Sequence, residues 1–280
     1  MDQADQVTTC YCVAFSPDAG ILVGGSAKAL HLFDAGRPGR PLAVLPLAPT
    51  RRSRDGQRGP ASALAFRQDD SRLLAVGSFA GTVGLYDLRM PEDAARVLLL
   101  AGPHREGVTQ VAFAPDGWAL VSAARKEETL ISWDLRSGSP AYGYGPRPSR
   151  TNQRLYFAID ASRSVLLSGD QDGNLLQFPL RSVGEEGRLA EDAAHPQAPI
   201  ATAKAANDAV SSVSVTAHHP DLIAITAGQR HFGPLPADSD DDDRQEEGAE
   251  RNSQHGTSLD SSTLAILDRR AVFHVEGWQS

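Results

Sequence analysis

Val111-Ala112-Phe113-Ala114-Pro115-Asp116, followed by Trp118-Ala119-Leu120-Val121-Ser122-Ala123 and then Thr129-Leu130-Ile131-Ser132-Trp133-Asp134, is the stretch whose reading decides the fold. Apolar residues alternate with small or polar ones, and turn formers (Pro115-Asp116-Gly117) separate the runs, which is the pattern of short strands joined by tight turns. Working outward, the same unit recurs twice upstream. Val13-Ala14-Phe15-Ser16-Pro17-Asp18 precedes Ile21 to Ser26 and Ala29 to Asp34, and Leu64-Ala65-Phe66-Arg67-Gln68-Asp69 precedes Leu73 to Ser78 and Thr82 to Asp87. The step from phenylalanine to closing aspartate is 19, 21 and 21 residues, and the closing aspartates Asp34, Asp87 and Asp134 lie 53 and 47 residues apart. Helical periodicity is absent over any useful length, so the chain reads as all-β.

A repeat of this period is the blade of a WD-repeat β-propeller, slightly lengthened by loops. A degraded fourth unit runs through Leu155 to Asp160, Val165 to Gly169 and Asn174 to Phe178, with Pro179 in place of the closing aspartate. A fifth starts at Val210 to Val215 and Leu222 to Ala227, and its third strand, Thr263 to Asp268, arrives only after a long insertion. Fourth strands are weaker, as outer edges are: Pro41 to Leu47, Arg96 to Leu100, Ile200 to Ala203 and Val272 to Val275. The expected organisation is propeller blades over 8–234, an acidic insertion over 235–260 and the last blade's final strands over 261–278. With about five blades, and a first strand expected almost at once, at Thr8, the reading favours a larger ring lacking N-terminal blades; propellers carry about four to eight.

Each blade is too small to bury both faces alone and must stack on its neighbours. Small residues (Gly24, Gly25, Gly77, Ser78, Ser122, Gly169) allow close approach of the second strands, and the aromatics Phe33, Tyr86, Trp133 and Phe178 fill the space between sheets. His104, Ser122 and Trp133 sit where a WD repeat ties its turn by hydrogen bonds. Glu127 takes the usual aspartate's place in the third unit and Asp172 holds it in the fourth. All of these read as scaffolding.

The net charge of -8 is uneven: residues 235–260 hold nine acids and two arginines, and the remainder is close to neutral with 26 acids and 25 bases. The insertion's polar composition leads to the expectation of a disordered, solvating segment. Cys10 and Cys12, two apart on an expected strand, share a face, are poorly placed to bridge each other and read as packing residues. No run approaches the roughly 18 apolar residues of a membrane helix, and Met1 to Val7 lack signal-peptide features; the chain reads as intracellular. No phosphate loop, His-Glu-x-x-His, Gly-x-Ser-x-Gly or dinucleotide fingerprint occurs. The adjacent His218-His219 pair makes a poor metal clasp. An enzyme, a cofactor, a metal and a small-molecule substrate are therefore not expected.

Several strings carry more than a generic blade. Ala124-Arg125-Lys126-Glu127 leads into Leu130-Ile131-Ser132-Trp133-Asp134-Leu135-Arg136; Thr151-Asn152-Gln153-Arg154-Leu155-Tyr156-Phe157 and Gly228-Gln229-Arg230 follow. With the Ala35 to Arg40 linker and Val76-Gly77-Ser78, they resemble the telomerase Cajal body protein family, WD-repeat factors that handle small Cajal-body RNAs. The similarity covers roughly Cys10 to Arg230. It implies a ring of about seven blades, of which this chain would supply about the last five. It also implies binding to a short loop motif of box H/ACA small Cajal-body RNA or telomerase RNA, ribonucleoprotein proteins as partners, and a nuclear, Cajal-body location.

Blade geometry points to a face for that partner independently. Loops joining second to third strands, and blade to blade, emerge on the same side of a propeller. The first set contains Lys28, Arg125, Lys126, Gln229, Arg230 and His231; the second contains Arg51, Arg52, Arg54, Arg58, His104, Arg105 and Arg150 through Arg154, with Asn152 and Gln153. Guanidinium forks suit phosphates and stack on unpaired bases. Arg125 could equally be consumed by Glu127 or Glu128. Two other function classes compete: a protein-interaction hub without RNA, and a cullin-ligase substrate receptor, because Trp133-Asp134-Leu135-Arg136 and Tyr86-Asp87-Leu88-Arg89 resemble the WD-x-Arg adaptor-docking box.

Overall fold

The computed structural model describes residues 9–37, 39–48, 56–181, 196–228 and 263–273. Its strands follow the repeat unit by unit. The first sheet is β1 (Cys12–Phe15), β2 (Ile21–Gly25), β3 (Ala29–Asp34) and β4 (Ala43–Pro46); the second is β5 (Ala61–Arg67), β6 (Asp70–Ser78), β7 (Val83–Asp87) and β8 (Arg96–Leu100). The third holds β9 (Val108–Phe113), β10 (Ala119–Ala124), β11 (Leu130–Asp134) and β12 (Ser139–Tyr144), and the fourth β13 (Phe157–Asp160), β14 (Val165–Gly169), β15 (Asn174–Pro179) and β16 (Ala201–Lys204). In each, neighbours in sequence pair antiparallel, the meander of a propeller blade.

The fifth sheet has three described strands: β17 (Val210–Thr216), β18 (His219–Ala227) and β19 (Thr263–Asp268). Here one expectation fails. Val272 to Val275 reads as a closing strand, but Arg269–Val272 forms a helical turn, α1, with Phe273 closing it. The physical reason is the Asp268 side chain, which accepts from the Arg270 backbone N–H at 2.8 Å and caps a helix start. Arg269 then turns inward and meets Asp160 at 2.6 Å, a buried ion pair tying the fifth sheet to the fourth. Residues 274–280, the expected insertion and the first strand's expected start at Thr8 lie outside the described residues.

Four buried clusters hold the sheets together, one at each junction between consecutive sheets. Tyr86, Trp133 and Phe178 are all but fully buried at these junctions, each contributing about 1.5–3 kcal/mol of apolar burial. Close approach needs the small residues: a Cβ on Gly77 would sit 2.5 Å from Val108, and one on Gly169 only 2.2 Å from the Val210 carbonyl. Among the described residues no such cluster joins the fifth sheet to the first. Large exposed apolar side chains gather on those two sheets instead, with Phe15 62% and Ile266 71% exposed. The sheets thus form an arc whose two outer faces are apolar.

Candidate functional site

The rim where the second-to-third-strand loops meet the inter-sheet linkers is braced by polar struts, a different one in each of the second, third and fourth sheets. In the third, His104 bridges Glu127 (Nδ1, 2.6 Å) and Ser122 (Nε2, 2.6 Å), and Trp133 Nε1 donates to the same hydroxyl at 2.7 Å. Glu127 also accepts from the backbone N–H groups of Arg105 (2.7 Å) and Glu106 (3.1 Å). Burial pushes its carboxyl up, but the His104 hydrogen bond and charge and the two backbone donors outweigh that and hold it below the ordinary glutamate range. The expected His104, Ser122 and Trp133 tie is therefore in place.

The neighbouring sheets solve the same problem with residues that the repeat pattern did not single out. In the second, Gln57 donates to the Val76 carbonyl at 2.7 Å, and the Tyr86 hydroxyl donates to its Oε1 at 3.0 Å. In the fourth, the fully buried Arg147 donates to the Leu155 carbonyl (3.2 Å) and Ser168 (3.3 Å), and burial pulls its guanidinium down to about 10. The expected role of Asp172 is a correction. Its side chain is exposed, while the buried Asp170 two residues earlier closes that turn, accepting from the N–H groups of Asp172 (2.9 Å) and Asn174 (2.8 Å) and from the Asn174 amide. The carboxylate at 170 is buried where these three donors converge, whereas residue 172 is exposed at the tip of the turn that Gly173 makes with φ 81. Asp34, Asp87 and Asp134 sit at the opposite end, each capping its turn: Asp34 accepts from Gly36 N–H, and Asp87 and Asp134 from Arg89 and Arg136.

With the struts in place, the candidate residues come together. The loop carrying Arg125 and Lys126 is tied to the preceding linker by Arg125 N–H to the Gly107 carbonyl, 2.9 Å, and to the following one by Arg147 N–H to the Glu128 carbonyl, 2.8 Å. Gln153 donates its amide to the Gly228 carbonyl at 2.6 Å, bringing the 150–154 segment against the root of the long insertion. Lys126 adopts φ 59, a left-handed turn that keeps its side chain exposed. Asn152 is exposed on the same segment. Arg154 contacts the Tyr156 hydroxyl at 3.4 Å. Burial and Cys10 push the Cys12 thiol up to about 12, and the Arg154 charge is among the groups that work against that rise. Both cysteines are free thiols over glycines, Cys10 against Gly24 and Cys12 against Gly25.

The charges on this rim separate into used and unused. Glu127 is spent on His104 and two backbone donors, and Glu128 pairs with Arg150 at 2.9 Å. Arg125, Lys126 and Arg154 have no carboxylate partner among the described residues. Gln229, Arg230, Arg51, Arg52 and Arg54 lie outside them. Lys28, Arg58 and Arg105 on the same loops are in no ion pair among the described residues either, against the exposed acids Glu106 and Asp172, and such an excess of cations beside an exposed amide suits a polyanion.

Comparison with known proteins agrees with the strings quoted above. Over 246 residues the chain is 35% identical to "Telomerase Cajal body protein 1" of Bos taurus, covering 87% of this chain and 42% of that protein. The Drosophila melanogaster homologue is 26% identical over 242 residues, 85% of this chain and 40% of its own length. The chain is homologous to the telomerase Cajal body proteins. It spans about two fifths of the length of these curated relatives. No family model matches it. Among solved structures it resembles a chain of a mitotic checkpoint complex (TM-score 0.59, 20% identity, 81% of this chain and 59% of that one). It also resembles the Myceliophthora Cps50 (Swd1) β-propeller domain (TM-score 0.57, 17% identity, 80% and 64%). At those identities the structures speak for the fold alone, and the fold is a WD-repeat propeller.

Proposed function

We propose that this chain is a non-catalytic scaffold whose loop rim binds an unpaired segment of a small nuclear RNA, of the box H/ACA, Cajal-body or telomerase type. Its relatives are named for telomerase and the Cajal body, and a nuclear, Cajal-body location goes with the reading. The observation that carries it is the set of cations left over: Arg125, Lys126 and Arg154 hold no carboxylate among the described residues, although Glu127 and Glu128 stand within the same loop. Phosphates would neutralise them, the planar Arg125 and Arg154 side chains would stack on splayed bases, and the Asn152 amide would read a base edge. Gln153 acts by holding the segment, since its amide nitrogen is engaged by Gly228.

Capture of RNA from nuclear extract, followed by sequencing, tests this reading. Enriched box H/ACA RNAs are expected, with loss of the enrichment in an Arg125→Ala, Arg154→Ala double variant that keeps its melting temperature. Recovery of no RNA, or equal recovery by the variant, overturns it.

A further inference from the structure

Where the first and second sheets meet, the loop rim carries an aromatic pair as well as cations. Phe79, 38% exposed, stands in the β6–β7 turn, and Tyr11, 42% exposed, stands just ahead of β1. Their ring centroids lie 5.9 Å apart with the planes at 84°. An edge-to-face pair of this kind leaves at least one face of each ring uncovered by the other. The turn beneath Phe79 is held firmly. Its N–H donates to the Pro60 carbonyl at 2.9 Å, the Ser78 and Thr82 hydroxyls meet at 2.9 Å, and Ser78 Oγ accepts from the Ala80 N–H at 3.2 Å. The two rings are thus presented to solvent, whereas Tyr86, Trp133 and Phe178 are buried between sheets.

The linkers on both sides of that turn carry an exposed arginine. A Cβ on Gly59 would lie 3.0 Å from the Ala80 nitrogen, so the linker of Arg58 abuts the turn on one side. A Cβ on Gly107 would lie 3.1 Å from the Phe79 Cα and 3.2 Å from its Cδ1, so the linker of Arg105 abuts it on the other. The Gly107 carbonyl accepts in turn from the Arg125 N–H at 2.9 Å. Direct contacts therefore connect Tyr11 and Phe79, through Gly107, to the loop of Arg125 and Lys126. Arg58 and Arg105 are in no ion pair among the described residues, and the exposed Glu106 is the one acid described in these two linkers. Open aromatic faces bordered by unneutralised arginines suit single-stranded nucleic acid: phosphates take the charges, and every base offers a flat face to stack. An apolar protein surface laid over the same rings would bury those cations unpaired, which is unfavourable.

We propose that Tyr11 and Phe79 form a stacking platform for unpaired RNA bases, onto which the strand continues from the Arg125–Lys126 loop, with Arg105 and Arg58 on its phosphates. The platform rests on the RNA reading of the rim and extends it to the junction of the first and second sheets. Stacking tolerates any base, so these rings supply affinity and hold the strand in place without reading its sequence.

Binding of a single-stranded box H/ACA loop oligonucleotide to the full chain, titrated across salt concentrations, tests the platform. A Tyr11→Ala, Phe79→Ala double variant should bind about 5- to 150-fold more weakly. Its logarithmic salt slope should equal the parent's, because no cation is lost. Phe79→Trp, which keeps an aromatic face, should bind as the parent does, whereas Phe79→Leu, apolar but without that face, should bind more weakly at an unchanged melting temperature. Replacing the unpaired bases one at a time by abasic residues should reveal a position that costs the parent affinity and costs the double variant nothing further. If the parent binds and the double variant binds as tightly, or Leu serves at position 79 as well as Trp, the platform is overturned and the RNA reading stands. An oligonucleotide that the parent does not bind overturns both.

Discussion

Glu127→Ala removes one carboxylate that serves three donors, and its cost can be worked from the geometry. His104 Nδ1, on a side chain with no exposed surface, loses its partner at 2.6 Å, and the Arg105 and Glu106 N–H groups lose theirs at 2.7 and 3.1 Å. A buried donor left without an acceptor costs about 1–3 kcal/mol, and the two backbone groups, which water can reach, add less. About 2–4 kcal/mol follows, a large part of the roughly 5–15 kcal/mol that holds a folded domain. At roughly 2–4 °C per kcal/mol for a chain of this order, calorimetry should show melting lowered by on the order of 5–10 °C. Glu127→Gln, which keeps one acceptor, should fall between. The pH dependence has a fixed sign. A carboxyl held below its unfolded value contributes fully above about pH 4.3 and loses that contribution as pH falls through the folded value. The gap between parent and Glu127→Ala should therefore narrow in acid. Melting within a degree of the parent at neutral pH would refute the reasoning that this strut holds the rim.

Gly169→Ala would place a methyl 2.2 Å from the Val210 carbonyl; backbone would have to move, and a loss of about 1–3 kcal/mol in denaturant titration is expected. Asp160→Ala strands the buried Arg269, so hydrogen exchange should speed up through β17, β18 and β19 first, with a loss of roughly 3–5 kcal/mol. Deleting residues 237–260, which lie outside the described residues and carry most of the excess negative charge, should tighten RNA binding at low salt; unchanged affinity would remove that acidic segment as a competitor for the arginines.

How much of this was legible in the sequence divides by physics. Strand positions follow from period-2 alternation between Pro-Asp and Gly turns, and β8 and β19 fall on the expected residues, Arg96 to Leu100 and Thr263 to Asp268. Gly77 and Gly169 were readable because close approach of sheets excludes any other residue. The struts were only partly readable. His104 belongs to a recurrent tetrad, but Gln57 hides at the end of a basic run and Arg147 in a Gly-Pro-rich linker. The fold asks only for a donor long enough to reach the next strand's polar groups, so residue type varies from sheet to sheet. Asp172 and Asp170 illustrate the limit: two acids two residues apart, distinguished only by which of them is buried and accepts the turn's N–H groups. The α1 turn is hidden in the sequence because apolar alternation around Val272 favours a strand while the Asp268 cap is a single local signal. For the rim, strand order led to the expectation that the cations share a side, with Arg51, Arg52, Arg54, Gln229 and Arg230 outside the described residues; that Glu128 pairs with Arg150 while Glu127 is held by His104 and two backbone donors required coordinates.

The claim that matters most is that Arg125 and Arg154 are unspent charges facing a polyanion. Affinity for a single-stranded box H/ACA loop, measured across salt concentrations for the parent and the Arg125→Ala, Arg154→Ala variant, tests it directly. If both arginines meet phosphates, the logarithmic salt slope of the variant should be shallower by about 1.4, since each phosphate neutralised on a single strand contributes about 0.7. Affinity at low salt should also drop by roughly tenfold or more. Parallel salt dependences with equal affinity would contradict the account.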